Sequence, residues 1–144
     1  MEKYYAPEHN ELIEYILSEK HYYQEMYPSK DKIMKVNIDI SNIVDTLDDI
    51  CNIEGDRRYI DPKVFKLKYL DREDIESLGF KYCKAHAGTP AMEFELGDYS
   101  LSYDPDFKGE QYLHISVNGD LTCFSGNIKN KSELRRLLKQ LQII

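Results

Sequence analysis

Two runs of alternating apolar and polar residues, joined by a Gly-Asp pair, restrict this chain to folds that contain an antiparallel hairpin. The apolar residues occupy every second position on each side of the pair: Met92, Phe94, Leu96, Tyr99, Leu101 and Tyr103. A two-residue Gly97-Asp98 loop is typical of a type II′ turn and predicts the pairs 96/99, 94/101 and 92/103. All six apolar side chains then share one face, and Glu93 and Glu95 lie on the solvent face.

Asn118-Gly119 predicts a second hairpin, because this dipeptide is the strongest type I′ turn signal. A two-residue loop predicts two opposed pairs: Leu113 with Phe124, and Ile115 with Thr122. The same register places His114 opposite Cys123 on the other face of the sheet. An imidazole can activate a neighbouring thiol, but the sequence offers no third partner, so we interpret this pair as structural.

Two short helix signals flank the hairpins. Asp71 is a typical N-cap residue for a first helix that places Ile75 and Leu78 inward and ends at Gly79. Ser132 is predicted to cap the last helix. The apolar stripe of that helix consists of Leu134, Leu137, Leu138 and Leu141.

These elements predict an α+β fold. Its main part is an antiparallel sheet of two hairpins, 91–103 and 111–125, with helices packed on one face. An N-terminal helical or mixed segment completes the chain. Residues 1–144 are expected to form a single compact domain, with an acidic, Tyr-rich segment at 1–56 and an α+β scaffold at 57–144.

The first N-terminal element is predicted to be a helix from Pro7 to Met26, broken at Tyr27-Pro28. Its apolar stripe would comprise Leu12, Ile13, Ile16, Leu17 and Tyr23.

Residues 31–53 allow two interpretations. One is a continuous helix with a coiled-coil-like seam of Ile33, Val36, Ile40, Ile43, Leu47 and Ile50. The other is a strand, in which Met34, Val36, Ile38 and Ile40 alternate with polar residues, followed by a short helix. In that helix Ser41 would be the N-cap, and the inward residues would be Ile43, Val44, Leu47, Ile50 and Cys51. The β-branched and Asn/Asp-rich composition of 36–46 favours strand then helix.

The acidity of the chain is confined to its N-terminal segment. Residues 1–56 carry 13 acidic and five basic residues, a net charge of −8, whereas residues 57–144 have a net charge of +1. Six of the 12 tyrosines lie in the first 27 positions. An acidic, Tyr-rich surface suits a basic protein partner and is poorly suited to nucleic acid. A solvated acidic helix face above packed tyrosines is the structural alternative.

The residues expected to contact such a partner are Tyr22, Tyr23, Asp39, Asp45, Asp48 and Asp49. Two basic stretches, at 57–68 and 129–139, could touch nucleic acid, but they lack interleaved exposed aromatic residues and glycine-rich phosphate loops.

The sequence offers no catalytic residues, metal ligands or cofactor motifs, and a non-enzymatic protein is expected. Asp104-Pro105-Asp106 opens like a calcium loop, but Lys108 and Ile115 occupy ligand positions of that motif, so a turn is predicted. The three cysteines are widely spaced and suggest neither disulfides nor zinc. No apolar run is long enough to cross a membrane and no secretory segment is apparent, so we expect a cytoplasmic protein with no membrane contact.

The block Leu70-Asp71-x-Glu73-x-Ile75-x-x-x-Gly79-Phe80 resembles the L-T-x-E-x-L-x-x-x-G-F block of small uncharacterised proteins of Bacteroidetes genomes and their phages. The resemblance covers roughly residues 64–125, and Asp71 replaces the usual Thr, another helix-capping residue. It implies a phage or mobile-element accessory protein and carries over no functional residues.

Three functions are therefore considered. The preferred one is a protein-binding accessory protein, such as an inhibitor that presents its acidic surface to the basic nucleic-acid groove of a bacterial defence protein. The second is a self-associating accessory protein, in which the 33–50 seam forms a homodimer interface. The third and weakest is a nucleic-acid-binding protein or a small hydrolase using His114, Cys123 or a carboxylate pair.

Overall fold

The computed structural model describes residues 2–26, 32–50, 52–54, 57–59 and 64–144, and its chain divides into two compact units, residues 2–68 and 69–144. The sequence places its division between residues 56 and 57. The structure places it after Lys68, because the strand that ends there pairs with strands from the beginning of the chain.

The N-terminal unit contains a four-stranded antiparallel sheet with helix α1 packed against it. Its elements are β1 (Tyr4–Tyr5), α1 (His9–Glu19), β2 (His21–Glu25), β3 (Ile33–Asn37), a 3-10 turn (Ile40–Asn42), α2 (Ile43–Ile50), β4 (Asn52–Glu54), β5 (Arg57–Tyr59) and β6 (Phe65–Lys68). The strand order is β1-β6-β2-β3, and β4 and β5 form a separate hairpin. Leu12, Tyr15, Ile16, Tyr22 and Leu67 form the buried core.

The predicted helix from Pro7 to Met26 is wrong in its second half. Helix α1 ends at Glu19, because Lys20 adopts a left-handed conformation with φ of 61° and its N–H donates to the Ile16 carbonyl. The five residues that follow form β2, an inner strand that pairs with both β3 and β6. Aromatic side chains favour strands, and pairing on both sides of β2 outweighs the local helical pattern.

The strand-then-helix interpretation of residues 31–53 is confirmed by β3, the 3-10 turn and α2. The continuous helical seam is not formed, because Ile33 and Val36 lie in a strand. Ser41 is not the cap: the Asp39 carboxylate accepts a hydrogen bond from the Ser41 N–H at 3.2 Å. Tyr27, Pro28 and Cys51 lie outside the described residues.

The C-terminal unit is a five-stranded antiparallel sheet with two helices on one face, which confirms the predicted α+β class. Its elements are α3 (Arg72–Ser77), β7 (Lys81–Ala85), β8 (Met92–Leu96), β9 (Tyr99–Phe107), β10 (Glu110–Val117), β11 (Leu121–Asn127) and α4 (Lys131–Gln140). The strand order is β11-β10-β9-β8-β7. The core between sheet and helices includes Phe94, Leu101, Leu113, Leu134 and Leu138.

The caps of the two helices are partly as predicted. The Asp71 carboxylate accepts from the Asp74 N–H at 2.9 Å, and Gly79 follows α3 with φ of 105°, as expected. Ser132 does not cap α4. Asn130 does so, and its side chain accepts from the Glu133 N–H at 3.0 Å, two residues earlier than the sequence suggests.

The first hairpin has the predicted register, with Leu96 opposite Tyr99, Phe94 opposite Leu101 and Met92 opposite Tyr103. The predicted register of the second hairpin is wrong. Its loop has three residues, so that Val117 pairs with Leu121, and a bulge then shifts the ladder further. The predicted pairs are replaced by Leu113 with Gly126, Ile115 with Phe124 and Ser116 with Thr122.

Candidate functional site

The candidate site lies on the outward side of the 3-10 turn and α2. Ile43 and Leu47 pack against the core of the N-terminal unit and orient the helix. Because helical residues four apart lie on the same side, Ile40, Val44 and Asp48 follow one another along the side that does not face this core. We call Asp39, Ile40, Val44, Asp45 and Asp48 together the α2 face.

Two aliphatic side chains of the α2 face are unusually open to solvent. Ile40 is 69% exposed and Val44 is 66% exposed, although the sequence places Val44 among the inward residues. The helix turns only 100° per residue, so Val44 is carried away from the core that Ile43 reaches. Single exposed aliphatic residues are common, but a neighbouring pair is more typical of a contact surface.

Three carboxylates lie close to the aliphatic pair in the sequence. Asp39, Asp45 and Asp48 are exposed, and none of them is in an ion pair with a basic side chain among the described residues. The charge of this surface is therefore not neutralised within the described part of the chain. Such a face can bind a partner by burying Ile40 and Val44 while its carboxylates meet basic groups at the rim.

The structure does not present the predicted tyrosines as a contact surface. Tyr22 and Tyr23 are only 7% and 8% exposed. Tyr22 packs on Phe65, with ring centroids 5.6 Å apart, and Tyr23 packs edge-on against His21 at 5.5 Å. These contacts, together with that of Tyr23 to Tyr4 at 5.1 Å, cover both rings. Asp49 lies in the last turn of α2, and its side chain is outside the described part of the structure.

His114 and Cys123 are not brought together. Cys123 sits at the bulge and packs against the core of the C-terminal unit, whereas His114 pairs with Ser125 across the strands. His114 Nε2 lies 3.2 Å from Thr122 Oγ1 on the other face of the sheet. The arrangement that would activate the thiol is therefore absent from this pair.

The exposed aliphatic pair is the feature that reasoning from the sequence missed. The signal was present for Val44, which lies about 100° from Ile43 and about 60° from Leu47 in the helical projection of 40–48. It was absent for Ile40, which lies only about 20° from Leu47 in that projection and also completes the alternating strand pattern and the coiled-coil-like seam. Each of those patterns predicts that Ile40 is buried.

Within the described residues, no cluster of three His, Cys, Asp or Glu side chains could hold a metal ion. Nor is any helix there long and apolar enough to cross a membrane. The fold and the candidate site thus describe an α+β protein with an acidic and apolar helix face. Comparison with models of known families, with curated proteins and with solved structures finds no match.

Proposed function

We propose that this chain is a non-enzymatic accessory protein that binds another protein through the α2 face. The observation that carries the proposal is the exposure of Ile40 and Val44, at 69% and 66%, near carboxylates that form no ion pair within the part of the chain that the structure describes. Aliphatic residues at the centre with charged residues at the rim are the usual arrangement of a protein interface.

A basic partner is proposed because of the charge of the N-terminal segment, −8 over residues 1–56. A second copy of this chain is a poorer partner for the α2 face. In a symmetric dimer the same surface meets itself, so Asp45 and Asp48 would approach like charges. The resemblance to phage and mobile-element proteins further suggests a bacterial defence protein, whose basic nucleic-acid groove the carboxylates would occupy.

The non-enzymatic part of the proposal is supported by the separation of His114 from Cys123 described above. Cys83 is no better as a nucleophile, because partial desolvation and the neighbouring Glu95 carboxylate raise the pKa of its thiol. We also propose a cytoplasmic location, which the exposed free thiol of Cys83 supports, since thiols stay reduced in that compartment.

The test is affinity capture from a lysate of the native host, followed by binding measurements with the recovered protein at low and high salt. The double change Asp45→Asn and Asp48→Asn should weaken binding about tenfold at low salt, because two rim charge contacts of up to about 1 kcal/mol each are lost. Ile40→Ser with Val44→Ser should weaken binding at both salt concentrations, because apolar burial is not screened.

Two controls match these changes. Asp98→Asn with Asp120→Asn removes the same charge from exposed turns of the C-terminal unit, and Leu121→Ser removes a 66% exposed aliphatic residue there. Both should bind like the unchanged protein. Binding that is insensitive to all α2-face changes would refute the proposal. Light scattering that shows a dimer dissociated by Ile40→Ser and Val44→Ser would replace it with self-association.

A further inference from the structure

A groove of about 250 Å³ lies on the face of the five-stranded sheet that carries no helix. Its floor consists of small side chains, Ser100 and Ser102 on β9 and Ser116 on β10. Its walls are taller side chains, the two glutamates Glu93 and Glu95 on β8 and His114 on β10. A row of serines between longer side chains creates a depression on an otherwise flat sheet.

Strand pairing holds the polar groups of the groove in a fixed arrangement. Glu95 is directly opposite Ser100, which is in turn opposite Ser116. Glu93 is opposite Ser102, which is opposite His114. Directly opposed residues of antiparallel strands have Cβ atoms about 5 Å apart, so a group seated between them can contact two or three side chains at once.

The size of the groove limits its occupant. Sites for drug-sized ligands enclose roughly 300–1,000 Å³, so a groove of about 250 Å³ is too small for a nucleotide. It has room for one group of the size of an amino-acid side chain. The hydroxyls and carboxylates around it are hydrogen-bond acceptors suited to a ligand with several N–H donors.

The charge of the groove is negative and only partly neutralised. Its lining residues include two carboxylates and no Lys or Arg. Glu93 is already paired, with His86 Nε2 at 3.0 Å and Lys84 Nζ at 3.5 Å. Glu95 has no basic side chain within ion-pairing distance among the described residues, although Lys81 is opposite it on β7.

Glu95 and Cys83 both line the groove, and Cys83 does so at the irregularity of β7 between Tyr82 and Lys84. Because its carboxylate belongs to the lining, Glu95 imposes a negative potential on the groove. Partial desolvation and this charge raise the pKa of the Cys83 thiol.

We infer that this groove binds a small organic cation, an alkyl guanidinium or alkyl ammonium compound, with Glu95 as its counter-ion and the serine hydroxyls as additional acceptors. A guanidinium group carries several N–H donors in one plane and matches a carboxylate flanked by hydroxyls. This site is separate from the α2 face, and either proposal can fail without the other.

The test is a titration of the full chain with butylguanidinium, followed by amide NMR shifts, with the neutral isostere butylurea as the matched probe. We expect saturable shifts for Glu95, Ser100 and Ser116 with butylguanidinium and none with butylurea. Glu95→Gln should weaken binding by about tenfold or more, because the counter-ion is lost. The control Glu110→Gln changes an exposed glutamate outside the groove and should leave binding unchanged.

A second variant and a second measurement keep the inference testable. Ser100→Val favours a strand, removes one acceptor and narrows the groove, so it should also weaken binding. The amide shift of Cys83, which also lines the groove, is the second measurement: butylguanidinium should move it in the unchanged chain and not in Glu95→Gln. Equal shifts with both probes, or saturation that survives Glu95→Gln, would overturn the inference.

Discussion

The hydroxyl of Tyr103 lowers the stability of the described structure. The side chain is fully buried in the core of the C-terminal unit, and its oxygen has no hydrogen-bond partner there. A buried hydroxyl without a partner destabilises a protein by about 1–3 kcal/mol. Burial, together with the nearby charges of Glu133, Asp71 and Asp74, raises the pKa of Tyr103. The hydroxyl is therefore held neutral.

Replacing Tyr103 with Phe should raise the free energy of unfolding by about 1 kcal/mol at neutral pH, since the aromatic ring stays and the unpaired hydroxyl is removed. Urea denaturation measures this change. The control Tyr112→Phe alters a hydroxyl near the surface, beside Ser125, and should not stabilise the chain. A loss of stability in Tyr103→Phe would show that the hydroxyl has a stabilising partner.

The same variant should change the dependence of stability on pH. The pKa of Tyr103 in the folded chain lies above its usual value of 10.0, so above about pH 10 the unfolded chain loses this proton first. The part of the free energy of unfolding that comes from the raised pKa of Tyr103 is thus present below pH 10 and is lost as pH rises. Unfolding measured between pH 9 and pH 11 should show a slope shallower in Tyr103→Phe by up to about 1.4 kcal/mol per pH unit. Equal slopes in Tyr103→Phe and in the unchanged chain would contradict this prediction.

Among the elements, helix α4 owes its starting position and part of its stability to the hydrogen bonds of its first turn. The Asn130 side chain accepts from the Glu133 N–H, and the Glu133 carboxylate accepts from the Lys129 N–H at 2.8 Å. These two bonds satisfy backbone donors that a helix cannot satisfy internally. They also fix where the helix begins, and with it which leucines reach the core.

Replacing Asn130 with Ala should lower the free energy of unfolding by about 1 kcal/mol, the usual cost of losing an N-cap. Ser41→Ala is the matched control, because Ser41 is exposed and does not cap a helix; it should change stability by less than about 0.5 kcal/mol. Thermal or urea unfolding distinguishes the two. Equal effects would mean that the cap of α4 contributes nothing beyond a surface residue.

The sequence predicted elements well where local chemistry decides their geometry. Gly97-Asp98 specifies a two-residue turn, and the register of the first hairpin followed correctly. Asn118-Gly119 is an equally strong signal, but the loop includes Asp120 and a bulge follows, so the register shifted. At that bulge the consecutive residues Cys123 and Phe124 both pack against the core, an arrangement that strict alternation does not predict.

The candidate site was predictable in its charge and not in its shape. The exposed aspartates of the α2 face were identified from the acidity of residues 1–56. The tyrosines were misassigned because their strand has neighbours far along the chain, at 33–37 and 65–68. The groove was missed because Ser116 on β10 and Glu95 on β8 become neighbours of Ser100 on β9 only after these three strands are aligned.

At the scale of the whole molecule, the described residues form two separate cores. Every residue of the C-terminal core lies between Leu70 and Ile143, and the strands and helices that surround it come from the same unit. A unit with its own core is expected to fold independently.

A fragment of residues 69–144 should therefore unfold cooperatively and give a dispersed amide NMR spectrum. In this fragment, as in the full chain, Phe94→Ala should lower the free energy of unfolding by about 3–5 kcal/mol, because a fully buried ring is removed. A non-cooperative fragment with a collapsed spectrum would show that the C-terminal unit requires residues 2–68.

The outer strand β7 affects whether molecules of this protein associate through their sheet edges at high concentration. Free edges of sheets can recruit strands from neighbouring molecules and start aggregation. The exposed Lys81 and Lys84 and the irregular pairing at Cys83 oppose such recruitment, because charged side chains and a distorted ladder on an edge strand disfavour pairing with a sixth strand. The strand that borders the groove is therefore expected to limit growth of the sheet at this edge.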